Sequence, residues 1–382
     1  MAGWRVARIG EVCGYEKEQA IHAGLPYVGL ENIESGTGRF LGATNAASVK
    51  SATFRFSPAH VLYGRLRPYL NKVLLPDFEG HCSTEIFPIR PGPDVSREYL
   101  FHWLSMEATV KSIDATSTGA RMPRANMNAV LDFELPVPSI PEQRRIVAIL
   151  DEAFEGIATA KANAEKNLQN AREVFDSHTK SVFSQGADHW PTRTIDQISM
   201  NLDSKRVPIT KSDRTAGEFP YYGASGIVDY VADYIFEGDT LLVSEDGANL
   251  IARSTPIAFS VSGRYWVNNH AHILKFDHME TQRFVEFFLE SIPLDEYITG
   301  AAQPKLNQKA LNSIPIPIPG SADEQAQVVD QLERVAEQSE LLQGTYERKL
   351  AALDEIKKTL LHQAFTGELT AKKTTDLVEA VA

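Results

Sequence analysis

The sequence predicts a duplicated protein of mixed α+β class, with two α/β globular halves joined by two long helices that pair antiparallel as a coiled coil. Three observations lead there. The chain resembles itself about 180 residues apart. Each copy ends in a long run with helical spacing of apolar residues and no interior proline. Each copy begins with short β-like runs broken by turns. The implied organisation is a first globular segment over 1–139, a helix over 140–186, a second globular segment over 187–320, a helix over 321–369 and a polar tail over 370–382.

The globular halves come first. HVLYGRL (His60–Leu66) and EIFPIRP (Glu85–Pro91) read as strands in the first half, and DTLLVSED (Asp239–Asp246) and AHILKF (Ala271–Phe276) in the second. Arg97–Ile113 and Gln282–Ile292 carry apolar residues at helical spacing. An α/β half with a twisted mixed sheet and loops along one edge follows, with the strand order left open.

The duplication is clearest where these halves end. TGARMPRAN (Thr118–Asn126) matches TGAAQPKLN (Thr299–Asn307), and the match runs on into LPVP (Leu135–Pro138) and IPIP (Ile316–Pro319). Eight of 21 positions are identical over 118–138 against 299–319, where average residue usage gives roughly one or two. PEQ (Pro141–Gln143) then meets DEQ (Asp323–Gln325), and Leu150, Leu168 and Phe183 pair with Leu332, Leu350 and Phe365. The front halves match more weakly, through Trp4 and Ile9 against Trp190 and Ile195 and PYVG (Pro26–Gly29) against PYYG (Pro220–Gly223).

The helical runs follow. Glu142–Ser184 has no proline and one glycine, Gly156. Its stripe includes Ile146, Leu150, Ile157 and Leu168; the second copy offers Val328, Leu332, Leu342 and Leu350. Prolines 138 and 141 and Pro319–Gly320 mark the starts, and Gly186 and Gly367 the ends. Each helix is about 64 Å long at 1.5 Å per residue. A lone helix of that length with a polar back does not stand free in water. Two in one chain can bury their stripes on each other, and the globular segment between them makes an antiparallel pair economical. The two globular segments then sit at opposite ends of the pair, so helix length is expected to set their separation.

Composition limits the function. The 382 residues include 43% hydrophobic and 23% charged side chains, as in an ordinary soluble globular protein. No run of 18 apolar residues suggests a membrane span. The first residues, MAGWRVARIGEV, lack a signal-peptide core. Cys13 and Cys82 form no CxxC pair, which argues against a disulfide framework or thiolate zinc site and points to a reducing cytoplasm. The net charge of −12 argues against a protein that coats DNA by itself. Residues 1–139 are neutral, with 14 basic and 14 acidic side chains, so DNA binding would need local basic loops and a partner supplying further phosphate contacts.

Such loops are present. YGRLRPYLNK (Tyr63–Lys72) interleaves Arg65, Arg67, Asn71 and Lys72 with Tyr63 and Tyr69. Arginine can donate two hydrogen bonds to guanine, and asparagine can pair with adenine in the major groove. TGARMPRANMN adds Arg121, Arg124 and Asn126 on a loop marked by glycine and proline. In the second half SEDGANLIARS offers Ser244, Asn249 and Arg253, the repeat offers Gln303 and Lys305, and SKR adds Lys205 and Arg206. Any one of these alone also fits a solvated turn. The signal lies in the repeated position of TGA-x-x-P-[RK]-x-N, whose proline and cationic residue recur in both copies.

Catalytic signatures are missing. The sequence has no PP pair for an adenine methyltransferase tetrapeptide and no GxxxxGK[ST] phosphate loop. Asp77 and Glu85 are not followed by the ExK of a nuclease motif. HAH (His270–His272) lies in an alternating stretch, so its two histidines point to opposite faces and are not expected to share a metal. His102 reads as a packed residue of an apolar helix.

Architecture and motifs together resemble the specificity subunit of type I restriction–modification enzymes. The resemblance covers nearly the whole chain. It is carried by the openings Trp4, Ile9, Gly10, Glu11 and Trp190, Ile195, Asp196, Gln197, by LRPYLNKV (Leu66–Val73), by the paired TGA…P…N blocks, and by LPVPSIPEQRRIVAILDEAF with its echo IPIPGSADEQAQVVDQL. It implies two target-recognition domains, each reading half of a bipartite asymmetric site in double-stranded DNA. The long helices would bind two methyltransferase subunits, and a motor–nuclease subunit would complete the complex. AdoMet, ATP and magnesium are expected only in those partners, and no catalytic or metal residue in this chain. The second copy departs from the pattern in SEDGANLIARS and SADEQ, as expected if the domains read different sequences. The competing reading is a coiled-coil scaffold whose globular ends bind proteins.

Overall fold

The computed structural model describes residues 3–20, 24–44, 49, 51–300 and 303–371. The tail from 372 onward, and Ala301 and Ala302 of the second TGA block, lie outside the described residues. The chain divides into two compact units, Met1–Ala164 with Arg348–Ala382, and Glu165–Glu347. The long helices span Ile140–Ala187 and Ala322–Thr366, so each unit holds part of both.

In the first unit the expected single sheet is instead two small ones. Cys13–Tyr15, Ile86–Pro91, Val61–Gly64 and Val73–Leu74 form one antiparallel sheet in that spatial order. Gln19–Ala20, Thr53–Phe56, Gly80–Cys82 and Tyr27–Val28 form the other, the last pair parallel. Strands this short cannot cover a core alone. The helix Arg97–Ser105 closes it, capped by the Ser96 hydroxyl and burying Tyr99, Leu100 and Trp103. Arg5–Arg8 pairs with Glu134–Val137, so the end of the globular segment returns to its beginning.

The second unit repeats the plan. Met200–Asn201, Ala271–Lys275, Thr240–Ser244 and Ala258–Val261 form one sheet. Gly226–Val231, Ala216–Gly223, Arg264–Val267 and Phe236–Glu237 form the other. Met279–Ser291 is the covering helix, and Thr192–Thr194 pairs with Pro315–Pro317 as the repeated opening and closing strands.

The duplicated glutamine explains how each helix is tied to its globular segment. Gln143 is fully buried; its amide donates to the Asp94 and Pro138 carbonyls at 2.7 and 2.9 Å and accepts from the Ser96 N–H at 2.8 Å. Gln325 donates to the Pro319 carbonyl at 2.8 Å and accepts from the Thr281 hydroxyl at 2.6 Å. The duplicated tryptophans act at the other ends. Trp190 packs on Gly186, where a Cβ would lie 2.1 Å from its ring; the helix runs one residue past that glycine. Trp4 lies against Gly367, whose φ of +83° ends the second helix.

Within the first unit Ile146, Leu150 and Ile157 pack in one core with Leu353, Leu360 and Phe365. Phe365 lies 4.9 Å from the Tyr99 ring. In the second unit Leu332 is buried, Ser339 donates to the Ala171 carbonyl at 2.8 Å, and Gln331 meets His178 at 3.0 Å, an antiparallel order. Alanine at position 171 permits that approach. Leu168, Val328 and Leu350 are half-buried. Leu342, expected in the helix-pair core, is instead 48% exposed. The seam passes through Leu332, Ser339 and Gln343, one position out of phase with Leu342, so polar side chains occupy the interior there and leucine the outside.

Candidate nucleic-acid interface

The duplicated TGA block folds into the same hairpin twice. In the first unit Thr118 bridges to Arg124, with Gly119 at φ +95° making the turn. In the second, Ile298–Thr299 pairs with Lys305–Leu306 and Gly300 stands at φ +87°. A side chain rarely adopts that conformation, which accounts for the repeated glycine. The repeated asparagine is a helix cap. Asn126 accepts from the Asn128 and Ala129 N–H groups, and Asn307 from that of Ala310. Thus the shared positions build the hairpin, while its tip differs, Arg121 and Met122 in the first unit and Gln303 in the second.

A second loop is pinned beside each hairpin through equivalent backbone bonds. Ala125 N–H donates to the Arg65 carbonyl at 2.9 Å and Arg67 N–H to the Pro123 carbonyl at 2.7 Å. In the second unit Leu306 N–H donates to Glu245 at 2.8 Å and Gly247 N–H to Pro304 at 3.0 Å. Arg65, Leu66 and Arg67 therefore correspond to Glu245, Asp246 and Gly247. Gly247 has φ +108° and Arg67 φ +51°. The first unit thus carries an arginine in left-handed backbone, which costs roughly 1–2 kcal/mol for a residue with a Cβ, where the second carries glycine.

Beneath these loops the two units place opposite charges at matched positions. Glu16 N–H donates to Pro88 and Leu202 N–H to Ile273, which aligns Lys17 with Asp203 and Phe87 with His272. In the first unit the Lys17 ammonium lies 4.6 Å and the Arg65 guanidinium 5.4 Å from the Phe87 ring centre. In the second, His272 Nδ1 is 2.5 Å from Asp203 and 3.8 Å from Glu245, and its Nε2 donates to the Leu306 carbonyl at 2.7 Å. A cation–aromatic–cation set has become carboxylate–imidazole–carboxylate. Burial alone would raise the Asp203 pKa, but hydrogen bonding and charge from His272, the Ile273 N–H and Arg206 together hold it below the ordinary carboxylate value. Glu245 is lowered likewise, burial being outweighed by Arg206 and Lys305.

The residues singled out from the sequence now separate into two groups. Arg67, Tyr69, Arg121, Lys205 and Gln303 are exposed, and their side chains make no hydrogen bond or ion pair among the described residues. The Arg65 and Arg124 Nε groups donate to the two oxygens of Glu85 at 3.0 and 2.9 Å. The Lys305 ammonium lies 3.0 Å from Glu245. Asn126 is exposed, with its oxygen held in the cap.

For the others the expectation of an exposed side chain is corrected: Tyr63 and Asn71 each carry a buried oxygen with no hydrogen-bond partner among the described residues, and the fold uses the polar atoms of the other five. Tyr63 is fully buried in the first core. Asn71 turns the chain at φ +44°, and its Oδ1 is buried. Lys72 donates to the Leu30 and Ile33 carbonyls at 2.7 and 2.9 Å. Arg206 is held by Glu245 at 2.6 Å and by the Asp203 and Ala271 carbonyls. Ser244 is buried on the Ala224 carbonyl. Asn249 closes its own turn through Thr255. Arg253 donates to the Leu289 and Ile292 carbonyls at 3.2 and 2.8 Å. Composition cannot tell a cation facing solvent from one closing a helix end, and five of these seven lie in or beside tight turns.

The histidines follow the strand alternation. His270 is half exposed on Asp246 at 2.9 Å, and His272 points inward. Asp203, Glu245 and His272 bring possible metal ligands within 4.8 Å of one another. The Arg206 and Lys305 nitrogens already contact Glu245, so the set reads as a balanced charge network. His102 is packed, its Nε2 2.9 Å from Asp151. Sequence reasoning passed over Glu85, weighing it only as part of a nuclease motif. Its hidden signal was an acid within reach of two arginines from separate loops.

Known proteins share both the sequence pattern and the fold. The family model for the type I restriction modification DNA specificity domain matches residues 1–169 and 187–349. A putative type I restriction enzyme specificity subunit of Haemophilus influenzae is 34% identical over 127 residues, 33% of this chain and 32% of that protein. The EcoDI specificity subunit of Escherichia coli is 25% identical over 202 residues, 51% and 44% of the two chains. These two matches span less than half of each relative's length. The StySPI specificity subunit of Salmonella potsdam is 20% identical over 451 residues, covering 97% and 90%. Among solved structures, a chain from work on assembly and conformational transition of the type I R-M system superposes with a TM-score of 0.82 at 19% identity, over 97% of this chain and 99% of that one. The HsdS subunit of Thermoanaerobacter tengcongensis gives 0.64 at 19% identity, over 97% and 98%. The fold is therefore shared with these structures, and with its family model matched twice along its length the chain belongs to the type I restriction–modification DNA specificity family.

Proposed function

We propose that the chain is the non-catalytic DNA-specificity subunit of a type I restriction–modification complex, each globular segment reading one half of a bipartite site. The observation that carries this is the pairing of a constant hairpin with divergent, exposed side chains. Arg67, Tyr69, Arg121 and Met122 in the first unit, and Gln303 and Lys305 with Lys205 in the second, stand out from frames built by the same glycine, proline and asparagine. Segments 1–139 and 187–320 would act as the recognition domains. Arg67→Ala and Arg121→Ala should weaken the complex on DNA and leave partner binding intact. A base contact would relax one half-site by about 1–3 kcal/mol; a phosphate contact would lower affinity evenly and reduce the salt slope. Unchanged affinity and site preference in both variants would remove these loops from the interface.

The helical segments 140–186 and 321–369 would dock two methyltransferase subunits, one per copy, with a motor–nuclease subunit joining them and supplying, with them, the AdoMet, ATP and magnesium chemistry. Support comes from exposed apolar side chains on the second unit's helical segments: Val174 is 60%, Leu341 68% and Leu342 48% exposed. The positions matching Leu341 and Leu342 in the first copy hold Thr159 and Ala160, so the two docking faces differ in apolar character. Two partners per chain by mass measurement is the expected result, and saturation at one opposes it. The buried free thiols Cys13 and Cys82 fit work in a reducing cytoplasm. Among the described residues no helix is long and apolar enough to cross a membrane.

A further inference from the structure

Glu85 is where the two loops of the first unit meet. It lies just before the strand Ile86–Pro91. One carboxylate oxygen takes the Nε of Arg65 at 3.0 Å and the other the Nε of Arg124 at 2.9 Å. Arg65 belongs to the left-handed loop and Arg124 to the hairpin. One acid therefore fixes two cations from two segments.

The two arginines are not used alike. Arg124 donates again through Nη1, to the Met122 carbonyl at 3.3 Å, so its far end is partly occupied by the hairpin it belongs to. The terminal nitrogens of Arg65 make no hydrogen bond among the described residues. Its guanidinium also lies over the buried Phe87 ring. Its inner edge is therefore fixed by Glu85 and one face by Phe87. A guanidinium held through Nε keeps its Nη1–Nη2 edge, which is the edge that can donate two parallel bonds to guanine O6 and N7. Holding that edge before DNA arrives removes the side-chain ordering that binding would otherwise require.

We infer that Arg65 is a guanine-reading residue of the first recognition domain and that Glu85 is its positioning residue, with Arg124 tying the hairpin to the same carboxylate. The inference rests on the reading of these loops as a DNA interface. It also assigns a difference between the domains. The position of Arg65 is held in the second unit by Glu245, whose oxygens face Arg206 and Lys305 at 2.6 and 3.0 Å. The second domain has no buttressed arginine there and reads its half-site by other groups.

The test uses the full chain assembled with its modification subunits and a pool of duplexes randomised across the site, sequenced before and after binding. Arg65→Lys keeps a positive charge but loses the two-pronged edge. It should lower the preference for guanine at one position of one half-site by about 5- to 150-fold. Glu85→Ala should relax that same position, because it removes both acceptor oxygens and so releases the Arg65 Nε. The other half-site should be unchanged in both variants. Where the melting temperature of Glu85→Ala falls sharply, Arg65→Lys decides. Lower affinity with an unchanged base profile in Arg65→Lys would reduce the group to a structural one and overturn the inference. If Arg67→Ala and Arg121→Ala still weaken binding in that case, the loop interface stands without the buttress. If none of the four variants alters binding or profile, the interface reading itself fails.

Discussion

Arg67 offers a way to separate a binding residue from a structural one, because its backbone and side chain predict effects of opposite sign. It stands at φ +51°, a conformation that costs a residue with a Cβ roughly 1–2 kcal/mol. Arg67→Gly removes that cost. Glycine also has more freedom to lose on folding, which offsets about 0.5–1 kcal/mol. The side chain makes no hydrogen bond or ion pair among the described residues, and the backbone N–H to the Pro123 carbonyl is retained. The net expectation is a stability change between zero and a gain of about 1.5 kcal/mol. DNA affinity of the assembled complex should nevertheless fall, by about 1–3 kcal/mol if a base contact is lost. Arg67→Ala keeps the strain and should lose the same affinity with no gain in stability. Hydrogen exchange of the Val61–Gly64 amides under increasing denaturant, beside binding of a cognate duplex at two salt concentrations, measures both quantities. A loss of stability of more than about 1 kcal/mol in Arg67→Gly, or unaltered affinity, would show that the left-handed arginine serves the fold.

Other expectations follow from the same structure. Lys72→Met should destabilise the first unit, by about 1–3 kcal/mol for the two carbonyls left without a donor, with site preference unchanged in whatever complex still forms; a specific change of base preference would return Lys72 to the interface. Asp203→Asn should destabilise the second unit at neutral pH by about 3 kcal/mol. The Asp203 pKa is lowered in the fold, so its contribution is present above the ordinary carboxylate value of about 4 and is lost as pH falls through the folded value. Hydrogen exchange of the Ile273 and Leu274 amides should therefore differ between wild type and variant at pH 7 and converge in acid, and a constant difference would oppose this account. Leu332→Asp should disrupt helix packing in the second unit, since an unpaired buried charge costs several kcal/mol, whereas Leu341→Glu with Leu342→Glu should leave the melting temperature within a few degrees and reduce partner binding; the reverse pattern would misplace the seam.

What could be read from the sequence was the repeat and its helical period; what could not was the direction of individual side chains. The TGA-x-x-P-[RK]-x-N block marked a loop, which the structure shows to be a hairpin; its glycine and asparagine meet backbone requirements, a left-handed turn and a helix cap, that leave a trace in the residue type. Leu342 was placed in the core because a leucine at helical spacing is ordinarily buried; the true seam runs through Ser339 and Gln343, and a one-position phase shift is invisible when small polar residues lie inside. Of the cations read as DNA-facing, Arg67 and Arg121 are exposed, whereas Lys72, Arg206 and Arg253 have internal partners. Those three donate to backbone carbonyls, and apart from Asp203, three residues from Arg206, those partners lie 36 to 65 residues away in the chain, where no local pattern reaches. Glu85 was hidden for the same reason, 20 residues from one arginine and 39 from the other.

The opposite charges at matched positions bear on how two copies of one unit can come to read different sequences. Glu85 serves Arg65 and Arg124 at once, and Arg65 also lies over Phe87. A simple exchange, Arg65→Glu with Glu85→Arg, restores one ion pair but sets the new arginine against Arg124 and removes the cation from the ring. The exchanged chain should therefore recover little of what Arg65→Glu alone loses, a loss of about 1 kcal/mol for groups this exposed to solvent. The second unit shows what a full change involves: a carboxylate at the Arg65 position, histidine in place of Phe87, aspartate in place of Lys17, and Arg206 and Lys305 to balance them. Adding Phe87→His and Lys17→Asp to the exchange should recover more than the exchange does, although neither addition helps in the wild-type background. A double-mutant cycle on melting free energies reads this directly. Full recovery by the simple exchange would show that Arg65 and Glu85 form an isolated pair, and that the opposite charges of the second unit arose one position at a time.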